Sequence, residues 1–427
     1  MKIHSFAIIA AIALVSCGRP SPKEENLSLA VISDVHVMAP ELLLSHGAAF
    51  KRYLDNDRKL LAESPQLLDI LTDRLIEASP DYVLVTGDLT KDGEVVSHEY
   101  FRDSCLSRLS SAGIKALVIP GNHDIRNPHA RAFDGDSSWQ VPSVRAEEFA
   151  EIYNDYGYGQ AIARDSSSLS YMYQLTPGIR LLAIDACKYR YNDFSINLCK
   201  VGGVVRDETL SFIREQLDQA RRDNMYVLCM MHHGLNEHWL LQNEFTPDFI
   251  IDNPRPVRRA LRKGGVKYLF TGHYHSHDLC IRGGIYDMET GSMVDYPCPY
   301  RFVDIMDGKI SVHSERIEEV PSDTGGVSFQ DYAKEFKRGG LEITIGKLFP
   351  EVLPDDLREK VIFSCTDGFC ENFRGDECIS PERKTEIKEL AKEIRKYSFK
   401  WSIVYRVAMY AMLHDSRGPD NEFEGKL

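Results

Sequence analysis

Positive charge is what this chain is short of. Lysine and arginine number 51 against 64 aspartates and glutamates, a net charge of -13 over 427 residues. That balance argues against a broad nucleic-acid surface, because phosphate backbones are held mainly by lysine and arginine. Long apolar runs are scarce as well, and no second membrane segment follows the N-terminal one. Phe399 to Leu413 is apolar on average, but its shortness and its Lys400 and Arg406 predict an amphipathic helix instead. No C-x-x-C pair occurs. Cys365, Cys370 and Cys378 cluster without a histidine beside them, so a structural disulfide is expected ahead of a metal knuckle, with free thiols close behind. Beyond Val320 there is neither a phosphate-binding glycine loop nor a nucleophile elbow.

What is present begins at the N-terminus. Lys2 precedes an apolar run from Phe6 to Val15, too short to span a bilayer as a mature helix and typical of a signal-peptide core. Leu14-Val15-Ser16-Cys17 resembles a bacterial lipobox. The expected product starts at Cys17 with lipid on its thiol, and Gly18 to Asn26 forms a polar tether. The chain is thus expected to be exported and anchored to a bacterial membrane, periplasmic or at the cell surface. Nine cysteines remain after Cys17, an odd number that precludes complete pairing within one chain. Cys229 lies in an apolar run and is expected to be a buried small hydrophobe.

Five polar blocks recur after that: Asp34-Val35-His36, Gly87-Asp88, Gly121-Asn122-His123-Asp124, His232-His233, and Gly272-His273-Tyr274-His275. Each follows a short apolar run, namely Leu29 to Ile32, Tyr82 to Val85, Ala116 to Ile119, Val227 to Met231 and Tyr268 to Phe270, several rich in the residues that favour strands. Helix-like stretches lie between. Ser64 and Pro65 open one that carries Leu67, Leu68, Leu71 and Leu75; Asp207 can cap another with Leu210, Ile213, Leu217 and Ala220; Asp252 to Lys263 makes a third that Gly264-Gly265 can end. Alternating strands and helices predict a largely parallel sheet, and such sheets bind ligands at the carboxyl ends of their strands. All five blocks would gather at that edge.

Imidazole and carboxylate donors suit zinc, manganese and iron, whereas calcium takes oxygen ligands. Two adjacent ions, roughly 3.5 to 4 Å apart, need an anionic ligand between them, and Asp88 is the bridging candidate. Such ions lower the pKa of a bound water, present hydroxide at neutral pH and neutralise charge on the attacking and leaving oxygens of a displacement at phosphorus. Phosphate ester hydrolysis is the chemistry these residues point to.

The ordered set D-x-H, G-D, G-N-H-D, H and G-H-x-H resembles the calcineurin-like metallophosphoesterase family, over about residues 27 to 320. The resemblance implies two packed mixed β-sheets flanked by helices, and two divalent or trivalent transition-metal ions, manganese, iron or zinc. Carried onto this chain, it implies that Asp34, His36, Asp88 and His275 surround one metal and Asp88, Asn122, His232 and His273 the other. His123 would face a small phosphorylated substrate, with Asp124 orienting it. Many relatives have proline after the paired histidines where this chain has Gly234, which leaves His232 and His233 both open as the ligand; His232 stands nearer the strand end. The resemblance reaches toward cyclic-nucleotide and glycerophosphodiester phosphodiesterases, with a phosphomonoesterase or a non-catalytic binding lipoprotein as alternatives.

The remaining histidines, His46, His98, His129, His238 and His277, are expected to be exposed or satisfied rather than ligands, His277 having the best chance of lying near the site. Asn127 to Val141 is expected to be a surface loop; its Trp139, or Tyr191, would either stack on a base or sugar or pack on the core. Leu181 to Ile184 predicts a further strand, and Ile285 to Met288, Arg301 to Met306 and Ile310 to His313 are expected to close a second sheet. Residues 321 to 427 are expected to form a mainly helical extension that caps the catalytic domain or makes an oligomer contact, with Ile387, Leu390, Ala391 and Ile394 as one buried stripe and Trp401, Val404, Val407, Ala408 and Ala411 as its continuation.

Overall fold

The computed structural model describes residues 26–348, 352–414 and 419–427. The expected leader and Cys17 lie outside them. Among the described residues no helix is long and apolar enough to cross a membrane.

Two mixed sheets carry the fold. From edge to edge the first runs Glu422–Lys426, Lys309–Arg316, Pro299–Met306, Leu27–Ile32, Tyr82–Val85 and Lys115–Val118. The second runs Asp278–Arg282, Ile285–Glu289, Tyr268–Thr271, Tyr226–Met231, Ile179–Ile184, Tyr171–Thr176 and Ala163–Arg164. Leu27–Ile32, Tyr82–Val85 and Lys115–Val118 are parallel neighbours. So are Ile179–Ile184, Tyr226–Met231, Tyr268–Thr271 and Ile285–Glu289. Alternation sorts the second sheet's side chains into two layers. Leu181, Ala183, Leu228, Met230 and Phe270 join Val31, Leu84 and Leu117 of the first sheet in one core. Leu182, Ile184, Val227, Cys229, Met231 and Leu269 face the other way, under Leu210, Ile213 and Leu217 of the Asp207–Arg222 helix and Val257 and Leu261 of the Pro254–Gly264 helix. Each fully buried Val, Leu, Ile, Phe or Met among them contributes about 1.5–3 kcal/mol.

Several expectations need correction. Pro299–Met306 and Lys309–Arg316 extend the first sheet, not the second, because Pro299–Met306 pairs antiparallel with Leu27–Ile32 and covers the edge that strand would otherwise expose. Residues 127–141 are not simply a loop: Arg131–Asp134 and Ser137–Gln140 form a hairpin, with Gly135 at φ 57° in the turn, and pair with Leu43–Ser45 in a small third sheet. Ser64 is not a cap; its hydroxyl donates to the Leu61 carbonyl at 2.7 Å and accepts from the Met38 amide at 3.0 Å, tying the helix start to the first active-edge loop. Asp207 is likewise the first helical residue, with no side-chain cap.

The C-terminal region forms helices Phe329–Leu348, Asp355–Arg374, Pro381–Arg395 and Phe399–Met412. Ser380 caps the third, accepting from the Arg383 amide. Ile387, Ala391 and Ile394 are buried as expected, but the last helix buries Ser402, Tyr405, Met409 and Met412, one position from the expected stripe. That helix is apolar on most sides, so polar contacts choose the face: Ser402 donates to the Ala391 carbonyl at 2.7 Å, and the Tyr405 hydroxyl meets Ser364 at 2.7 Å. Trp239 and Tyr274 of the catalytic region belong to the same apolar cluster. The chain then returns Glu422–Lys426 to the first sheet. All nine described cysteines are free thiols, so the expected disulfide is absent. Cys365 and Cys370 share one helix, five residues and about 140° apart, and Cys378 is exposed.

A candidate dinuclear metal centre

The carboxyl ends of both sheets' parallel strands meet at one seam. From the first sheet come Asp34 and His36, Asp88, and Asn122 with His123; from the second come His232, His273 and His275. The joints between them are main-chain. The Asp34 amide donates to the Gly87 carbonyl at 3.0 Å, the His36 amide to Asp88 at 2.9 Å, and Gly272 to His232 at 3.0 Å. Across the seam the His273 amide donates to Asp34 Oδ2 at 2.9 Å.

These turns are strained. Asp34, His36, Asp88, His273 and His275 all have φ between 41° and 78°, a region that L side chains enter at a cost of order 1–3 kcal/mol each. Small residues let the loops approach. A Cβ on Gly121 would collide with the Asp88 carboxylate, and one on Gly272 with Ser33 Oγ and Asp34 Oδ2.

Donor atoms converge on two points. His275 Nε2 lies 3.2 Å from Asp34 Oδ1 and 3.3 Å from His36 Nε2, while His36 Nε2 is 3.6 Å from Asp88 Oδ2. On the other side His232 Nε2 lies 3.3 Å from Asp88 Oδ2 and 3.1 Å from Asn122 Oδ1, with His273 completing that group. Asp88 belongs to both. The donor set fits a pair of cations: Asp34 Oδ1 is buried with no hydrogen-bond partner, and the Nε2 atoms of His36 and His275 converge to 3.3 Å beside it. Burial works against charge on His232, yet Asp88 and Asp34 outweigh it and hold the imidazole up to about 9. That surplus of negative charge is what a cation would answer. His233 turns away, its Nε2 on the Val201 carbonyl at 2.9 Å.

Three of the four candidate ligand imidazoles are oriented from behind, whereas His36 Nδ1 is buried with no hydrogen-bond partner. His232 Nδ1 meets the Thr86 carbonyl at 2.9 Å and His273 Nε2 the Asp248 carbonyl at 3.1 Å. His275 Nδ1 instead meets Asp295 Oδ2 at 3.1 Å, and Asp295 is ion-paired to Lys337 of the C-terminal helices.

His123 stands beside the pair with Nε2 4.0 Å from Asp88 Oδ2, its side chain 20% exposed. Its Nδ1 is held by the Lys91 carbonyl at 2.7 Å and by Asp92 Oδ1 at 3.0 Å. Burial and Lys59 push this imidazole down, but Asp88 and Asp92 prevail and raise it to about 8. Asp92 therefore does what was expected of Asp124. Asp124 accepts from the Gly121, Leu89 and Thr90 amides at 2.8, 3.1 and 3.0 Å and from Thr90 Oγ1 at 2.9 Å, clamping the second block's loop to the third. Asp92 is itself fixed by Lys91 at 2.6 Å and by Tyr53 at 2.7 Å. Sequence reasoning passed over Asp92, Lys59, Asp295 and Lys337; of these only Asp92, four residues after Asp88 in the same loop, stood where a motif search could find it.

The other histidines divide. His98 is buried and satisfied by Tyr153 and the Asp124 carbonyl, both at 2.8 Å. His277 is bound to Ser314 at 2.8 Å and joins none of the ligand groups. His129 meets the Asn197 carbonyl at 3.1 Å. His238 is not exposed; its side chain is 1% exposed, both ring nitrogens lack a hydrogen bond, and Nδ1 lies 3.3 Å from Asp278 Oδ1. Trp139 and Tyr191 are 44% and 58% exposed, so neither packs into the core.

Comparison with known proteins decides the lineage: the calcineurin-like phosphoesterase profile matches residues 27–277. The chain belongs to the calcineurin-like phosphoesterase family. The chain is 26% identical over 250 residues to a 3',5'-cyclic adenosine monophosphate phosphodiesterase from Pseudomonas aeruginosa, covering 56% of this chain and 72% of the relative. It is 25% identical over 133 residues to a probable cyclic nucleotide phosphodiesterase from Vesicomyosocius okutanii, covering 30% of this chain and about half, 48%, of that relative. A dimetal phosphatase from Danio rerio aligns over 68% of this chain and 96% of its own, with 14% identity and a TM-score of 0.49.

Proposed function

We propose that this phosphoesterase hydrolyses small phosphodiesters of the cyclic-nucleotide or glycerophosphodiester kind. The carrying observation is Asp88, a single carboxylate within 4.0 Å of His36, His232 and His123 at once. A shared anionic ligand beside a substrate-facing imidazole is what in-line hydrolysis at phosphorus needs. Support for the diester comes from the ordered blocks and from the relatives named for cyclic nucleotides.

Asp34, His36, Asp88 and His275 would hold one ion and Asp88, Asn122, His232 and His273 the other, with nitrogen and oxygen donors suited to manganese, iron or zinc. When bound, the ions supply Lewis acidity and lower the pKa of a water they hold. The protein's own work lies at His123. Lys91 and Asp92 fix Nδ1, so Nε2 is the atom that gives a proton to the leaving oxygen. Lys59, buried and 2.9 Å from Asp57, adds positive charge felt by His36 and His123, which favours an anionic ester. The same proposal has the enzyme exported and tethered by lipid on Cys17 to a bacterial membrane, supported by the lipobox and the short apolar run before it.

The test compares hydrolysis of an aryl phosphodiester, an aryl phosphomonoester and cyclic nucleotides by full-length protein loaded with manganese or zinc. Diesters should turn over fastest. Faster monoester cleavage would overturn the diester assignment, and failure to bind any transition metal would overturn the reading as a whole.

A further inference from the structure

We propose that a third metal ion, a single zinc-class divalent cation, binds behind the dinuclear centre between Cys280, His238, Glu289 and Asp287. The site is built by strand register. Asp278–Arg282 and Ile285–Glu289 are antiparallel, with Asp278 opposite Glu289 and Cys280 opposite Asp287. Side chains two apart on a strand share a face, so both cross-strand pairs point the same way. His238, in the loop after the second sheet's Tyr226–Met231 strand, closes over them.

Spacing matches the cation. Tetrahedral zinc with bonds of 2.0 to 2.3 Å puts its ligand atoms roughly 3.3 to 3.8 Å apart. His238 Nε2 lies 3.5 Å from Glu289 Oε2 and 3.9 Å from Asp287 Oδ2, and the donor atoms of His238, Cys280 and Asp287 all fall within 4.8 Å of one another. The ring is aimed into this cluster and is 1% exposed; its Nδ1 lies 3.3 Å from Asp278 Oδ1, yet neither nitrogen makes a hydrogen bond. An imidazole so buried without a hydrogen bond is costly. Charge points the same way. Asp278, Asp287 and Glu289 are 8%, 0% and 1% exposed. The nearby Arg301 guanidinium goes to the main-chain carbonyls of Asp278, Glu289 and Asp420 and to Ser314, not to these carboxylates. Buried carboxylates in such numbers take a metal or give up their charge.

The thiol sets this site apart. The dinuclear centre offers nitrogen and oxygen donors, whereas Cys280 adds a soft one, which favours zinc over manganese or magnesium. A cavity of about 330 Å³ lined by His238, Asp278, Cys280, Glu377 and His414 gives the ion a way in. The role would be structural. Asp287 accepts from Thr271 at 2.7 Å and from the Leu235 and Asn236 amides at 2.9 Å each, and Glu289 accepts from the Ser276 amide and hydroxyl at 3.2 and 3.1 Å. These contacts brace the loops that carry His232, His273 and His275.

Cobalt distinguishes the sites. Metal-stripped full-length protein is reloaded with Co²⁺, and the near-ultraviolet thiolate-to-cobalt charge-transfer band is read alongside metal content. The wild type should show the band; Cys280→Ser should lose it together with one metal equivalent; Asp88→Asn should keep it. His238→Gln is the second variant, and it should also lose one equivalent while the far-ultraviolet circular dichroism stays unchanged. A wild type with no band, or a band and stoichiometry that survive both Cys280→Ser and His238→Gln, would overturn the proposal.

Discussion

On one side of the centre, His275 leans on Asp295 and through it on Lys337, a residue of the C-terminal helices; on the other, His232 and His273 lean on the main-chain carbonyls of Thr86 and Asp248. The first half is braced by a chain of charges that crosses from one region of the molecule to another. The second is braced by backbone that no point substitution removes. A carboxylate behind an imidazole also raises its basicity more than a carbonyl does, so the Asp34, His36 and His275 half gains affinity from side chains it does not contain. The difference teaches that the extension reaches the candidate centre through the Lys337–Asp295 pair.

The largest effect should come from breaking what the halves share. Asp88→Asn should strip both dinuclear metals and abolish turnover, read as metal content and hydrolysis in one preparation. His123→Ala should lower kcat by about 10²–10⁴-fold while both metals stay bound, because its role is at the substrate and not in the ligand set. Asp295→Ala should weaken one metal alone by about 10–100-fold, leaving the His232 half at wild-type affinity in a chelator titration. Equal weakening of both halves would dissolve the comparison. Lys337→Met should act in the same half but less, near the lower end of about 10-fold, since Asp295 remains. Trp139→Ala, exposed and outside both braces, should shift stability by no more than about 0.5 kcal/mol in denaturant unfolding.

Much of the centre was legible because each ligand follows an apolar strand, and parallel strands bring their carboxyl ends together whatever lies between. His36, Asp88 and His273 needed only that rule and their residue types. The braces were hidden for the opposite reason. Asp295 is 20 residues from His275 and Lys337 a further 42, and only the docking of the C-terminal helices makes them neighbours. Asp124 was misassigned because adjacency to His123 in the chain suggested adjacency to its ring; its side chain turns back to the Gly121, Leu89 and Thr90 amides, and Asp92 reaches the imidazole from another loop. The Pro299–Met306 and Lys309–Arg316 strands read correctly as strands but not by sheet, since period-two patterning is silent about partners. His238 shows the limit of residue-by-residue odds: its partners Cys280, Asp287 and Glu289 are unremarkable until register stacks them.

The central claim is that Asp88 joins two metals into one centre. Electron paramagnetic resonance of the manganese-loaded protein tests it most directly. An exchange-coupled signal from a bridged pair is predicted, collapsing to uncoupled or absent manganese in Asp88→Asn. Only uncoupled ions in the wild type, or coupling that survives Asp88→Asn, would contradict it.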